Sequence, residues 1–61
     1  MKWSEFRRLA EKRGWYLARH GGRHDIYRHE GRSDEMQIER HASQEIRPRL
    51  FKKLLNQINE Q

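Results

Sequence analysis

The sequence has no cysteine, a single proline and no long apolar run. The absence of cysteine excludes disulfides and thiolate metal sites, and it is compatible with a reducing cytoplasm. No apolar segment is long enough for a membrane span or for the core of a signal peptide. We therefore expect neither a membrane anchor nor a secretory leader.

Basic residues are abundant, with 14 lysines and arginines against 9 acidic residues and a net charge of +5. Ten of the 14 cations are arginine, whose planar guanidinium matches phosphate oxygens and stacks on bases. A small basic domain with interspersed aromatic residues is typical of nucleic-acid binding. The alternative interpretation is that the charge serves solubility alone.

A chain of 61 residues predicts one domain that spans residues 1–61. Domains of this size bury only about 60% of the surface of the unfolded chain. We therefore expect modest stability, to which a partner could add.

A first helix is predicted from the helical spacing of Trp3, Phe6, Leu9 and Ala10. Ser4 is a good N-cap residue for this helix. Gly14 is placed to end it in the left-handed conformation.

Three strands are predicted next, over residues 15–20, 24–29 and 35–39, with turns at 21–23 and 30–33. Residues 40–47 have no clear period and predict a loop. Pro48 suits the first position of a last helix, whose apolar stripe comprises Leu50, Phe51, Leu54, Leu55 and Ile58.

This order predicts an α+β fold, α-β-β-β-α, with both helices on one face of a three-stranded antiparallel sheet. The other face of the sheet is then left to solvent or to a partner.

The turn lengths predict the strand register. A three-residue loop at 21–23 places His20 opposite His24, Ala18 opposite Ile26, and Leu17 opposite Tyr27. A four-residue loop at 30–33 places Tyr27 opposite Met36. The two turns agree on one buried face, which comprises Trp15, Leu17, Tyr27, Met36 and Ile38.

The opposite face of the sheet, here called the open face, is predicted to be largely polar. It carries Tyr16, His20, His24, Ile26 and Arg28 from the first two strands, and Glu35, Gln37 and Glu39 from the third. Arg28 lies opposite Glu35 on this register, and His24 lies opposite Glu39. A carboxylate beside His24 would favour the charged imidazolium.

Two of the four histidines, His20 and His24, are candidates for chemistry on the open face. RNA can be cleaved without a metal ion because its 2′-OH can attack the adjacent phosphate, and histidine can act as acid or base near neutral pH. His24 follows Arg23 and shares a face with Arg28, and both arginines could hold a phosphate. The alternative is that His24 is only a surface histidine at the start of a strand.

The other two histidines have simpler interpretations. His29 shares the buried face with Tyr27 and is predicted to pack at the sheet edge. His41 lies in the loop and is predicted to contact a substrate or a partner. A zinc site built from His20, His24 and His29 is not expected, because His29 points to the opposite face.

Four further residues are candidates for RNA contact. Gly22 leaves room for a phosphate near the backbone. Tyr16 could stack on a base, although packing against Arg28 is the alternative. Lys52 and Lys53 lie on the basic face of the last helix, which either grips an RNA backbone or is simply solvated.

The chain resembles the HicA-type toxins, the RNA-cleaving partners in bacterial type II toxin–antitoxin modules. The resemblance rests on three segments, MKWSEFRRLAEKRGW, GGRHDIYRHEGR and IERHASQEIRPRLFKKLLNQI. They cover nearly the whole chain in the family's order. The chain departs from the family pattern at Arg23, where serine is common, and at Glu39, where proline is common near the end of strand three.

The resemblance implies a double-stranded-RNA-binding-domain-like fold and a metal-free, cofactor-free mRNA endonuclease of the bacterial cytoplasm. It places the catalytic histidine on His24 and implies neutralisation by a HicB-type antitoxin protein. A small RNA-binding module without catalysis is the alternative function, and a domain that only docks a protein partner is a third.

Overall fold

The computed structural model describes residues 1–59 of the 61-residue chain. Its elements are α1 (Trp3–Lys12), β1 (Trp15–His20), β2 (His24–His29), β3 (Glu35–Glu39) and α2 (Pro48–Asn59). The strands form one antiparallel sheet in the order β1-β2-β3. The predicted α+β order is confirmed, as are the bounds of the strands. No helix within residues 1–59 is long and apolar enough to cross a membrane.

Both helices cover the same face of the sheet, and the core lies between them and that face. The inward residues of the sheet are almost fully buried: Trp15, Tyr27, Met36 and Ile38. They pack with buried residues of the helices and of the preceding loop, which are Trp3, Phe6, Ala10, Ile46, Leu54 and Ile58. The predicted burial of Leu54 and Ile58 is confirmed, whereas Leu50 remains exposed.

The first turn of α1 is capped by the loop that precedes α2. The prediction that Ser4 is the N-cap is wrong, because the helix begins at Trp3. The backbone N–H groups of Trp3 and Ser4 donate to the carbonyls of Gln44 and Ala42, each at 3.0 Å. These bonds satisfy N–H groups that have no partner within the helix, so the hydroxyl of Ser4 is not needed there.

The end of α1 is fixed by Gly14, whose φ of 93° confirms the predicted left-handed conformation. The His29 ring packs against this glycine and lies edge-on to Trp15, with ring centroids 5.5 Å apart. Its Nδ1 accepts from the N–H of Gly31, and its Nε2 lies 3.0 Å from the Arg13 carbonyl, to which it donates. His29 therefore packs at the sheet edge, as predicted.

The register between β2 and β3 matches the prediction at each of the predicted pairs. Tyr27 lies opposite Met36, and His24 lies opposite Glu39. Tyr27 points into the core, where burial raises the pKa of its phenol. The β2–β3 pairing thus places His24 and Glu39 on the open face.

The register between β1 and β2 is correct only for the first half of the pairing. Leu17 lies opposite Tyr27 as predicted, but the register shifts between Leu17 and Arg19. Beyond this β-bulge, Arg19 lies opposite Ile26. The prediction that Ala18 takes that position is therefore wrong.

The bulge also moves His20 to the other side of the sheet. His20 lies opposite Asp25, not opposite His24, and directly opposed residues share a face of the sheet. The turn closes over one residue more than predicted, with the Gly21 N–H donating to the His24 carbonyl at 2.8 Å. His20 therefore joins Asp25 on the helix side, and the prediction that it lies on the open face is wrong.

Two hydrophobic residues differ in burial from the prediction. Leu17 was expected in the core but is 43% exposed, because β1 is an edge strand. Ile26 has the predicted parity but is only 7% exposed. The glycine turn folds across Ile26, so that a Cβ built on Gly21 would lie 3.6 Å from its side chain.

Replacing Gly14 by alanine should lower the free energy of unfolding by about 1–2 kcal/mol from the left-handed backbone alone. A further loss is expected because the new Cβ would lie 2.7 Å from His29 Nε2. Gly22→Ala is the matched control, since a Cβ at Gly22 meets no atom within 4 Å, and its effect should stay within about 0.5 kcal/mol. Urea denaturation measures both, and equal stability of the two variants would refute this account of Gly14.

Candidate active site

His24 and Glu39 are in contact at one end of the open face. His24 begins β2, Glu39 ends β3, and the Nε2–Oε2 distance is 2.8 Å. The two side chains are 35% and 27% exposed, so the pair is accessible to a ligand. Because the Glu39 carboxylate lies against Nε2, the ring nitrogen left for a ligand is Nδ1.

The pair opens onto a groove between β3 and α2. The groove has a volume of about 690 Å³, and its lining includes Gln37 of β3 and Leu50 and Lys53 of α2. Lys53 is thus brought to the same groove as His24, as expected if both contact one ligand. Lys52 is exposed on α2 but does not line this groove.

The turn before His24 presents an open backbone and a guanidinium. Gly22 and Arg23 are both exposed, and nothing lies within 4 Å of a Cβ built on Gly22. Within residues 1–59, Arg23 makes no hydrogen bond or ion pair. Both residues can therefore approach an anion that is bound next to His24.

Arg28 and Tyr16 lie farther along the open face. Arg28 pairs with Glu35 at 3.0 Å, and Arg19 pairs with the same carboxylate at 2.9 Å. Both arginines hold the pKa of Glu35 below its usual range, and Arg19 has the larger effect. Arg28 lies four residues beyond His24, about 13 Å along β2, and its guanidinium is held by Glu35 at the other end of the open face. Tyr16 lies opposite Arg28 and is 49% exposed.

The carboxylate of Asp25 lies on the helix side of the sheet and is 4% exposed. Its Oδ1 lies 2.8 Å from His20 Nδ1 and 3.0 Å from Arg40 Nε, and its Oδ2 lies 3.2 Å from Arg7 Nη2. The hydrogen bond from His20, followed by that from Arg40, lowers the pKa of Asp25 against the effect of burial. We call these four residues the Asp25 cluster.

The remaining histidine, His41, is exposed in the loop before α2. Within residues 1–59, no three histidine, aspartate or glutamate side chains are grouped as a metal site requires. His20 and His24 lie on opposite faces of the sheet, and so they cannot share a ligand.

A comparison with protein families gives one match over almost the whole chain. The model of the family described as the HicA toxin of bacterial toxin–antitoxin matches residues 3–59. The chain belongs to the HicA toxin family. No curated protein and no solved structure matched the chain.

Part of what surrounds the site in this HicA toxin could not be predicted from the sequence. Arg19, Arg7 and Arg40 were not predicted to make contacts, because each contact joins segments that are distant in the sequence. One signal was available for Asp25, which has the same strand parity as Tyr27 and is therefore a carboxylate pointing toward the core. Such a carboxylate needs cationic partners.

Asp25→Asn should lower the stability of the HicA toxin near neutral pH by about 1–3 kcal/mol, since it weakens hydrogen bonds to a charged group. Because the pKa of Asp25 is lower in the folded than in the unfolded protein, its charge stabilises the fold at pH values above the unfolded-state pKa of about 3.9. That stability is lost as the pH falls through the folded pKa. The difference between wild type and variant should therefore shrink below pH 4. Urea denaturation at several pH values tests this, and a difference that stays constant into acid would contradict it.

Proposed function

We propose that this HicA toxin is a metal-independent endoribonuclease that cleaves mRNA in the bacterial cytoplasm, with His24 as the catalytic residue. The observation that carries the proposal is the His24–Glu39 pair, partly exposed beside a groove that Lys53 also lines. Family membership supports a toxin role, and the net charge of +5 supports an anionic substrate.

The proposed reaction uses the 2′-OH of RNA as the nucleophile. His24 Nδ1 takes the proton of the 2′-OH, and the 2′ oxygen forms a bond to the adjacent phosphorus. The bond from phosphorus to the 5′ oxygen of the next nucleotide breaks, and that oxygen takes a proton from solvent. The products are a 2′,3′-cyclic phosphate and a 5′-hydroxyl, with no metal ion or other cofactor in the scheme.

Glu39 orients His24 in this scheme. Its carboxylate lies 2.8 Å from Nε2, so that the ring carries its proton on that side and keeps its lone pair on Nδ1. The negative charge also stabilises the imidazolium that forms when Nδ1 takes a proton, as the aspartate does in a Ser-His-Asp triad.

Positive charge around the phosphate comes from residues on either side of His24. Arg23 can hold the phosphate, and Gly22 lets it approach the backbone. Lys53 holds the RNA strand from the far side of the groove. Arg28, Tyr16 and Lys52 are assigned to flanking nucleotides, because they lie away from His24. His20 receives no RNA contact, since it lies on the helix side.

The partner proposed for this HicA toxin is a HicB-type antitoxin protein. Free toxin would then degrade mRNA, inhibit translation and arrest growth, and the antitoxin would prevent this by binding the toxin. The antitoxin is expected to bring negative charge to the basic surface around His24.

The test compares wild type, His24→Ala and His41→Ala in bacteria and with purified RNA. His24→Ala should remove the proton acceptor, so that growth and mRNA integrity are restored and cleavage falls by about 10²-fold or more. RNA affinity should persist in this variant. His41→Ala is the comparison variant: this exposed loop histidine lies outside the groove, so its loss should leave kcat nearly unchanged and should alter RNA affinity at most.

Two results would contradict the proposal in different ways. Binding of RNA by the wild type without cleavage would favour the non-catalytic RNA-binding module. Full cleavage by His24→Ala would leave the enzyme but remove His24 from its chemistry.

A further inference from the structure

We propose that Asp25 is a positioning residue for the His24–Glu39 pair and that it acts through Arg40 and Arg7. Asp25 directly follows His24 in the chain, and Arg40 directly follows Glu39. The ion pair between Asp25 and Arg40, 3.0 Å long, therefore ties the backbone next to one member of the pair to the backbone next to the other. The inference rests on the proposed function and assigns a role to residues outside the groove.

Arg40 contacts both ends of the turn that leads to His24. Its Nε donates to Asp25 Oδ1, and its Nη2 donates to the Gly21 carbonyl. The Gly21 N–H in turn donates to the His24 carbonyl at 2.8 Å. One planar guanidinium thus fixes the turn at its start and just after its end, and the turn sets the position of the His24 ring.

Arg7 connects the same carboxylate to Glu39 from the side of α1. Its Nη2 lies 3.2 Å from Asp25 Oδ2 and 3.5 Å from the backbone carbonyl of Glu39. Glu39 is the last residue of an edge strand, where the backbone has no neighbouring strand to hold it. The Asp25 cluster therefore holds the backbone of both residues whose side chains meet on the open face.

Burial singles out Asp25 from the other carboxylates of the protein. Within residues 1–59, Asp25 is the one charged residue that is buried. Burying a charge is costly even when it is paired, and apolar replacements of buried ion pairs are often as stable. The geometry points instead to a role of Asp25 in positioning His24 and Glu39. Position matters for rate, because a displacement of about 1 Å in a reacting group can cost about 10²-fold.

The experiment measures cleavage kinetics for Arg40→Lys, Arg40→Gln and the control Arg19→Gln. Lysine keeps the charge but lacks the planar fork, so it cannot hold Asp25 and the Gly21 carbonyl together. Both Arg40 variants should lose about tenfold or more in kcat, with KM nearly unchanged for Arg40→Lys. Arg19→Gln also breaks an arginine–carboxylate pair, at the other end of the open face, and should keep the wild-type kcat.

The kcat of folded Arg40 variants decides whether Asp25 positions the site. The Arg40 side chain is 43% exposed, so both variants should fold, and urea denaturation checks this. A wild-type kcat in folded Arg40→Lys would overturn the positioning role, because charge alone would then suffice. A loss confined to KM would also overturn it.

A second measurement separates this inference from the proposed function. Nitrogen-15 NMR of the His24 ring reports the contact between Nε2 and the Glu39 carboxylate without any substrate. That signal should change in Arg40→Lys and persist in Arg19→Gln. If wild type cleaves no RNA, the proposed function fails, while an unchanged His24 signal in Arg40→Lys would overturn the positioning role by itself.

Discussion

The sheet of this protein is covered on one face only, and most of the structure depends on that constraint. Trp15, Tyr27, Met36 and Ile38 must lie under the two helices, and a strand that shifts by one residue would move its apolar side chains into solvent. One-sided burial therefore fixes the β2–β3 register, and that register alone brings His24 opposite Glu39. The candidate site is a consequence of where the core lies.

The β-bulge divides the charged residues between the two faces. It places Arg19 on the open face beside Glu35 and places His20 with Asp25 on the helix side. Each face thus has its own group of cations and carboxylates, and the two groups lie at different ends of β2. A histidine that looks like a second catalytic group in the sequence becomes part of the scaffold.

Local patterns predicted the elements well, because each carries its own signal. Strict alternation identified β3, Gly14 marked the end of α1, and the turn lengths gave the β2–β3 pairing. The errors arise where distant segments meet. The cap of α1 comes from a loop some forty residues away, at Gln44, and no signal in residues 1–15 reveals it. The bulge and the Asp25 cluster likewise depend on tertiary contacts, which strand parity cannot predict beyond pointing Asp25 inward.

If His24 removes a proton from the 2′-OH of RNA, as proposed, the products of cleavage must carry the mark of that attack. The purified toxin is incubated in EDTA with a short RNA and with the same RNA carrying a 2′-deoxy sugar at the cut site. Attack by the 2′-OH predicts a 2′,3′-cyclic phosphate and a 5′-hydroxyl from the RNA, and no cut at the deoxy position. Cleavage of the deoxy substrate at the same rate, or products with a 5′-phosphate, would contradict it.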